Sequence, residues 1–321
     1  MTPKLSSRLA AAFSAGLLSL ASQAQPVAPV RIIVPFNPGG GSDLFARAVA
    51  PGLQQSLQRT VIVENRAGAG GILGADVVAK AAPDGHTILV SDFGVYSISP
   101  SLNPKMPYAA KDLQPVVELA RFPNVLVVPS NSPFNTLQEL LAAARKAPGT
   151  LSIASAGNGS SPHLTAEKFQ RAAQLKLVHV PYKGAGPAIA DTMGGQVQMM
   201  FTGLPSVSEF AASGKLKILA IASAARSPFA PDVPTFIEAG VPGFESSISQ
   251  GMFMPAATPA ATVNQVNAAV NQLMATSDMA ARMQQLKVVP RQESPAQYKA
   301  WLDNEAKAWA QLIKDAAIKI E

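Results

Sequence analysis

Three loops rich in glycine, serine and proline contain residue types that could bind a small anion. Each loop follows a short apolar run and precedes a helical pattern. Such loops expose backbone N–H groups at a helix N-terminus, where unpaired donors and a partial positive charge attract a carboxylate or a phosphate. In open α/β sheets, ligands bind beyond the carboxyl ends of the strands, which is where these loops lie. The loops span residues 35–43, 155–163 and 181–187, and together they predict an anion site.

Nucleotide-binding motifs do not occur in these loops or elsewhere in the sequence. No G-x-x-x-x-G-K-[ST] segment is present. In residues 68–73 the third glycine of the dinucleotide fingerprint is replaced by Leu73, so that motif is incomplete. The sequence therefore disfavours a nucleotide-dependent enzyme, and we expect no cofactor.

Residues that could perform catalysis are poorly represented. None of the three histidines lies in a metal-ligand spacing, and the absence of cysteine excludes thiolate metal sites, disulfides and a cysteine nucleophile. Ser160 and His163 are close in sequence, but their segment is not a G-x-S-x-G elbow. With Ser161 as the predicted helix N-cap, His163 would extend along the helix rather than act as an oriented base. We therefore expect neither enzymatic activity nor a bound metal.

Four residues near these loops have both a structural and a ligand-binding interpretation. Asp43, in the first turn of a predicted helix, either favours the helix dipole or accepts from a ligand hydroxyl, ammonium or bridging water. Lys183 is either an exposed loop residue or an ion-pair partner of the ligand. Asp92 either caps its own loop in an Asx turn or favours ligands that carry a donor as well as a carboxylate. Phe93 beside it either packs in the core or stacks on an aromatic acid.

The rest of the chain alternates predicted strands with predicted helices, which indicates an α/β fold built from parallel βαβ units. Its 321 residues are 48% hydrophobic and 14% charged, a length sufficient for two domains. Thr136 and Glu139 form a capping-box pattern at one helix start, and Ser161 with Pro162 marks another. The predicted strands are 31–35, 60–64, 87–91, 125–129, 151–155, 177–181, 198–202, 217–222 and 247–255.

The first 24 residues are typical of a secretory signal peptide. Lys4 and Arg8 precede an apolar run of about 12 residues, which is too short to span a bilayer, and residues 22–24 fit a small-residue cleavage site. The remaining lysines and arginines are scattered, without the basic and aromatic clustering that favours nucleic acid. The sequence therefore predicts export to the periplasm and no nucleic-acid partner.

Several short motifs resemble, in the same order along the chain, those of the Bug/TctC-type solute-binding proteins of tripartite tricarboxylate transporters. The resemblance extends over essentially the whole chain after the predicted signal. The motifs are Phe36-x-Pro38-Gly39-Gly40-x-x-Asp43, Val63-Glu64-Asn65-Arg66-Ala67-Gly68, Pro83-Asp84-Gly85-His86-Thr87, Ser155-x-Gly157-x-Gly159-Ser160-x-x-His163, His179-Val180-Pro181-Tyr182-Lys183-Gly184 and Pro231-Asp232-Val233-Pro234-Thr235.

The resemblance implies a two-lobed, type II periplasmic binding protein with the ligand in the cleft. Each lobe would be a mostly parallel sheet flanked by helices. Residues 26–126 and 227–321 would form lobe one and residues 127–226 lobe two, with hinges near 123–129 and 223–227. The protein would be a monomeric receptor that delivers a di- or tricarboxylate, an acidic amino acid or an aromatic acid to a membrane permease. The alternative is a ligand-sensing protein that signals to a membrane partner.

The resemblance also implies which residues contact the ligand. The family binds one carboxylate with the first loop and the Pro-Tyr-Lys-Gly loop, largely through backbone groups and waters. Ser160 is expected to add a contact because Ser161 serves as the N-cap. Asp92 and Phe93 are not family constants, so the ligand stays open there. The predicted ligand-binding residues are Phe36, Pro38, Gly39, Gly40, Gly41, Ser42, Asp43, Asp92, Phe93, Ser155, Gly157, Asn158, Ser160, His163, Tyr182, Lys183, Gly184, Ala185, Gly186 and Thr202.

Overall fold

The structure is a computed structural model that describes residues 28–103, 105–316 and 318. The predicted signal peptide, residues 1–24, lies outside the described residues. Within them the strands lie close to the positions that the sequence predicts, with the exception of β4. The strands are β1 (Val30–Val34), β2 (Val61–Asn65), β3 (Thr87–Asp92), β4 (Leu113–Pro129), β5 (Ser152–Ser155), β6 (Val178–Pro181), β7 (Met199–Gly203), β8 (Leu216–Ile221) and β9 (Ser247–Pro255).

Helices connect most of these strands and cover the faces of the sheets. No helix in the described part of the chain is long and apolar enough to cross a bilayer. The helices are α1 (Gly41–Leu57), α2 (Ile72–Ala79), α3 (Gly94–Ser97), α4 (Ser99–Leu102), α5 (Leu137–Lys146), α6 (Ser161–Ala173), α7 (Ala185–Met193), α8 (Leu204–Ala212), α9 (Ala260–Met274), α10 (Ser277–Gln285) and α11 (Pro295–Ala316).

Two mixed sheets form the two lobes. The first sheet has the strand order β2-β1-β3-β9-β4, and in the second β4 pairs with β7 and β8 while β5 pairs with β6 and β7. The β1–β2, β1–β3, β5–β6 and β5–β7 pairings are parallel. All pairings of β4 and β9 are antiparallel. The sheets therefore contain fewer parallel pairings than predicted, because the strands next to the lobe boundary, β4 and β9, are antiparallel to their neighbours.

One long strand, β4, belongs to both sheets. Residues 113–123 pair with β9 in the first sheet, and residues 124–129 pair with β7 and β8 in the second. The sequence predicted only the second part of this strand. Since the same strand contributes to both lobes, it is one of the two connections between them.

Asn124 lies at the position in β4 where strand pairing changes from β9 to β7 and β8. Its backbone N–H donates to the Ser246 carbonyl oxygen (2.9 Å), and its own carbonyl oxygen accepts from the Ala222 N–H (2.8 Å). Its side-chain amide donates to Ser246 Oγ (3.0 Å) and Thr165 Oγ1 (3.2 Å). These bonds join the outgoing and returning chain segments at one point on the boundary between the lobes.

Residues 229–244 pack on lobe two, although the sequence placed them in lobe one. Phe236 and Phe244 lie 4.6 Å apart between ring centroids. Both rings contact Phe169 and Phe201 in the core of the second lobe. The four aromatic rings hold this segment in lobe two, so the chain returns to lobe one only at the start of β9.

Candidate functional site

The three predicted glycine-rich loops meet between the lobes. The loop before α1 belongs to lobe one, and the loops before α6 and α7 belong to lobe two. The backbone N–H of Asn37 donates across the cleft to the Lys183 carbonyl oxygen (2.9 Å). A Cβ on Gly40 would stand 3.2 Å from the Cβ of Ala185. The two lobes are therefore closed against each other at these loops.

A small cavity lies where the loops meet. Its volume is 30 Å³, which is enough for about two water molecules. Even a small carboxylate is larger than this, so its entry requires the lobes to separate. The cavity is lined by Phe36, Gly40, Gly41, Ser42, Asp92, Phe122, Ala156, Pro162, Ala185, Thr202, Gly203, Ser206, Ile248 and Gln250.

Part of the predicted site lines this cavity and part lies outside it. Predicted residues in the lining are Phe36, Gly40, Gly41, Ser42, Asp92, Ala185 and Thr202. Predicted residues outside the lining are Pro38, Gly39, Asp43, Phe93, Ser155, Gly157, Asn158, Ser160, His163, Tyr182, Lys183, Gly184 and Gly186. Lining residues that sequence reasoning missed are Phe122, Ala156, Pro162, Gly203, Ser206, Ile248 and Gln250. Ala156 and Pro162 lie inside a predicted loop, whereas no local signal marks Phe122, Ile248 or Gln250.

The N-termini of α1 and α7 reach the cavity without a side-chain cap. Their N-cap residues are Gly40 and Gly184, and neither helix start has a side-chain hydrogen bond. The first N–H groups of these helices therefore remain available as donors. Gly41, Ser42 and Ala185, the first residues of the two helices, line the cavity or border it. This arrangement can hold one anionic group between the two helix ends.

The N-terminus of α6 is capped from within its own loop, and the N-cap is Ser160 rather than the predicted Ser161. The Ser160 hydroxyl accepts from the His163 N–H (3.4 Å) and donates to the Gly157 carbonyl oxygen (2.7 Å), so Ser160 is the N-cap. The Ser161 hydroxyl is buried and has no hydrogen-bond partner among the described residues. Two adjacent serines before a proline give the same local signal, because proline is accepted at either of the first two helical positions.

His163 and His179 form a neutral pair, in which His163 is buried and His179 is half-buried. Their rings stack with 4.1 Å between centroids. Nδ1 of His163 accepts from the Gly159 N–H (3.1 Å), and Nε2 of His179 bonds to Ser155 Oγ (2.7 Å). Burial lowers the pKa of both rings, to about 3 for His163 and about 4 for His179. These contacts leave His163 no role as a base, and in the described chain no group of three acidic or histidine side chains could hold a metal.

Asp43 stabilises the first loop and does not line the cavity. Its carboxylate accepts from the Gly39 N–H (3.2 Å), the Arg47 guanidinium (3.0 Å) and the Asn65 amide (3.0 Å). Burial acts to raise the pKa of Asp43, but these hydrogen bonds together outweigh it and hold the pKa below its usual value. Asp43 therefore stays ionised and positions the loop that precedes α1.

Asp92 is the one charged side chain among the lining residues. It is 5% exposed, and its carboxylate accepts from the Gly94 N–H (2.9 Å) in an Asx turn. The N–H of Ser161, from lobe two, faces the same carboxylate. Burial raises the pKa of Asp92 to about 6, although both N–H groups oppose the rise. Asp92 therefore caps its own loop in an Asx turn, and its side chain also lines the cavity.

Three further predicted residues make contacts outside the cavity lining. They are Phe93, Tyr182 and Lys183. Phe93 is fully buried against Trp301, with 5.5 Å between ring centroids. The Tyr182 hydroxyl donates to Asp191 (2.7 Å), and burial together with this contact raises the pKa of Tyr182 to about 12. Lys183 is exposed, and only its carbonyl oxygen bonds across the cleft. Lys183 therefore joins the two lobes through its backbone carbonyl, and its side chain takes no part in this contact.

Neutral polar side chains complete the lining. Thr202, Ser206 and Gln250 are 2%, 7% and 4% exposed. Ser42 Oγ donates to Gln250 Oε1 (2.9 Å), which leaves the amide nitrogen of Gln250 as a donor. Within the described chain no hydrogen bond holds that nitrogen or the hydroxyls of Thr202 and Ser206. These three groups can therefore pair with a ligand.

A larger pocket of 630 Å³ lies beside the hinge, between α11 and the crossing strands. None of the three glycine-rich loops contributes to it. Two of its basic residues, Arg121 and Arg291, are bound to the buried carboxylate of Glu118. We assign the candidate site to the smaller cavity, because the uncapped helix N-termini converge there.

Comparisons with known proteins agree on family and fold. The chain matches the family described as Tripartite tricarboxylate transporter family receptor over residues 45–318. It is 35% identical to protein BugT of Bordetella pertussis, over 92% of this chain and 91% of BugT.

Two solved structures with bound carboxylates are also similar to it. MatC from Rhodopseudomonas palustris with bound malate is 34% identical, with a TM-score of 0.85 over 90% of this chain and 100% of that chain. R. palustris Rpa4515 with adipate is 29% identical, with a TM-score of 0.88 over 92% of this chain and 99% of that chain. The fold is thus that of the periplasmic binding proteins, and the chain belongs to the receptor family of the tripartite tricarboxylate transporters.

Proposed function

We propose that the protein is a periplasmic receptor that captures a small carboxylate between its lobes and delivers it to the permease subunits of a tripartite tricarboxylate transporter. The observation that carries the proposal is the closed cavity at which the uncapped N-termini of α1 and α7 converge. Membership of the receptor family supports the transport role. The malate and adipate held by two similar structures are both carboxylates, which supports the ligand class.

A receptor without turnover agrees with the chemistry around the cavity. Its lining has no histidine, lysine or arginine, and its one acid, Asp92, is held by the Gly94 N–H in an Asx turn. The Ser160 and His163 side chains are occupied by contacts within their own loop. Backbone N–H groups at a helix end can bind an anion but cannot accept a proton from a substrate. We therefore infer capture and release of an unchanged ligand.

A thermal-shift screen of carboxylates tests the proposed ligand class. Each acid is paired with its uncharged amide, for example butyrate with butyramide and succinate with succinamide. A carboxylate present at about 100 times its dissociation constant should stabilise the protein by roughly 2.7 kcal/mol. The matched amide should give no shift at the same concentration, because it lacks the charge that the helix ends favour. Equal shifts from an acid and its amide would contradict the proposed anion site.

Delivery to a permease requires a separate measurement. Spheroplasts of a strain that lacks this protein should take up the labelled ligand only when the purified protein is added back. Uptake that is the same with and without the protein would exclude the transport role while leaving ligand binding intact.

A further inference from the structure

The charges around the cavity are unsuited to a ligand with two carboxylates. Among the described lining residues the one charged side chain is Asp92, and it is an acid. The remaining lining is neutral, with apolar walls from Phe36, Phe122 and Ile248. The lining supplies no cation for a carboxylate, so the place where available helix N-termini converge decides where a carboxylate binds.

Only two of the three helix N-termini still offer donors. α1 and α7 begin at glycines and have no side-chain cap. At α6, Pro162 has no N–H, and the His163 N–H is bound by the Ser160 hydroxyl. The remaining first-turn donor, the N–H of Ser161, faces the carboxylate of Asp92. The N-terminus of α6 is thus already supplied with an anion from the protein itself.

The position of Asp92 follows from its backbone as well as from its hydrogen bonds. Asp92 is the last residue of β3 and pairs with Gln250 on β9. A Cβ on Gly94 would lie 2.9 Å from Asp92 Oδ1 and 3.4 Å from the Ser161 nitrogen, so the absence of a side chain at Gly94 lets the carboxylate approach α6. Asp92 belongs to lobe one and α6 to lobe two, so this contact forms when the lobes close.

We propose that the ligand carries a single carboxylate, bound between the N-termini of α1 and α7, and that Asp92 excludes a second carboxylate and accepts a hydrogen bond from a hydroxyl, amide or ammonium group at the ligand's other end. This inference rests on the proposed function and narrows its ligand class. Gln250, Thr202 and Ser206 supply further neutral groups for such a distal end. Malate and adipate each have two carboxylates, so the chain differs in this respect from the two similar structures that hold them.

The repulsion that excludes a second carboxylate operates at neutral pH. The pKa of Asp92 is raised to about 6 by burial, so the group is largely ionised at pH 7.5. A second carboxylate in the closed cleft would meet this charge with little water between them, where like charges repel more strongly than in bulk solvent. A donor group at the same place would instead be attracted to Asp92.

Isothermal titration at pH 7.5 with matched ligand pairs tests the inference. Succinate is compared with succinamate, and glutarate with glutaramate, so that one carboxylate is exchanged for an amide of the same size. The ratio is taken from whichever of the two ligand pairs has the lower dissociation constants. In that pair, the half-amide should bind the wild-type protein at least tenfold more tightly than the diacid. A diacid that binds as well as its half-amide, or better, overturns the inference.

Asp92→Asn shows whether Asp92 is responsible for the discrimination. The substitution should reduce the ratio of the two dissociation constants to threefold or less, mainly by improving binding of the diacid. Asp303→Asn is the control, because it removes the same charge from an exposed ion pair with Lys299 on α11, outside the cavity lining. The control should keep the wild-type ratio, and an unchanged ratio in Asp92→Asn contradicts the assignment.

The outcomes separate this inference from the proposed function. A protein that binds no acid in the panel refutes the carboxylate receptor and this inference together. A protein that binds the diacids more tightly than their half-amides refutes only the single-carboxylate ligand. If Asp92→Asn does not fold, the wild-type ratio still decides, since it needs no variant.

Discussion

Asp43 and Asp92 are the two acids that the sequence placed near the cleft, and their surroundings shift their pKa values in opposite directions. Asp43 has a guanidinium and an amide as donors, from Arg47 and Asn65. The carboxylate of Asp92 is faced only by backbone N–H groups and is more deeply buried. A carboxylate beside a cation is stabilised in its charged form, whereas burial without a cation favours the neutral form. The same residue type therefore anchors a loop in one place and lines the cavity in the other.

Asp92→Asn should make the free energy of unfolding less dependent on pH. Between the unfolded pKa of 3.8 and the folded pKa of about 6, native Asp92 is protonated while unfolded Asp92 is ionised. Wild-type stability therefore falls as pH rises through this window, and Asn removes that loss. The stability of Asp92→Asn relative to wild type should increase by about 2 kcal/mol between pH 4 and pH 7.

Urea unfolding of both proteins at pH 4, 5.5 and 7 measures this difference. His163 and His179 also titrate on unfolding, but they are present in both proteins and cancel. Tyr108 and Tyr298, whose pKa values are raised by burial and to a lesser degree by Asp92, remain protonated throughout this range. A stability difference that does not vary with pH would show that Asp92 has an ordinary pKa.

Ser160→Ala should destabilise the protein, and Ser161→Ala should not. Loss of the Ser160 cap costs about 1 kcal/mol. The Ser161 hydroxyl is buried without a partner, so its removal should be neutral or slightly stabilising. Urea unfolding of the ligand-free variants measures both effects. The opposite order would restore Ser161 as the cap and return Ser160 to the ligand site.

At the scale of secondary-structure elements, β4 is a strand that local sequence patterns predict only in part. Its first half contains Pro115, Glu118 and Arg121, which interrupt the apolar run expected of a buried strand. Glu118 is nevertheless fully buried, because Arg121 binds it at 2.8 Å and Arg291 at 3.1 Å. Arg291 is far away in the sequence, so the neutralisation that allows this strand to be buried has no local signal.

The segment 229–244 was assigned to the wrong lobe for a related reason. It contains no regular strand or long helix that would extend either sheet. Its position depends on Phe236 and Phe244, which fill the space beside Phe169 and Phe201. Burial of aromatic rings is favourable wherever an apolar surface accepts them, and only the folded lobe shows which surface that is.

At the scale of the whole molecule, Gly70 limits how closely the lobes can approach. It has a φ of +62°, and a Cβ there would overlap the Asn158 carbonyl oxygen across the cleft. Gly70→Ala should therefore hold the lobes apart and weaken ligand binding at least tenfold. In solution scattering, ligand should reduce the radius of gyration of the wild-type protein and leave that of Gly70→Ala unchanged.

Gly214→Ala is the matched control for this experiment. Gly214 has a similar φ of +68°, and a Cβ there meets nothing within 4 Å. The two variants share the backbone strain of a left-handed alanine, about 1 kcal/mol, but only Gly70→Ala obstructs closure. If both variants bind the ligand equally well, contact between the lobes at Gly70 does not govern affinity.

The sequence by itself determined most of the strands, the glycine-rich loops and several helix starts. Thr136, for example, accepts from the Glu139 N–H (3.2 Å) as its capping box predicts. These features depend on residues a few positions apart, so short segments contain the information that specifies them. The motifs in the loops also sufficed to indicate the family, which the family match confirms.

Only the tertiary structure decided which loop residues line the cavity and what charge the cavity has. Gln250, Phe122 and Asp92 come together through strand pairing across β3, β9 and β4, over more than a hundred residues of chain. Asp92 meets the N-terminus of α6 across the cleft between the two lobes. Local sequence patterns indicate where in the chain a helix begins or an acidic residue lies. The energy of bringing an anion to a helix N-terminus depends instead on long-range packing, which no short segment encodes.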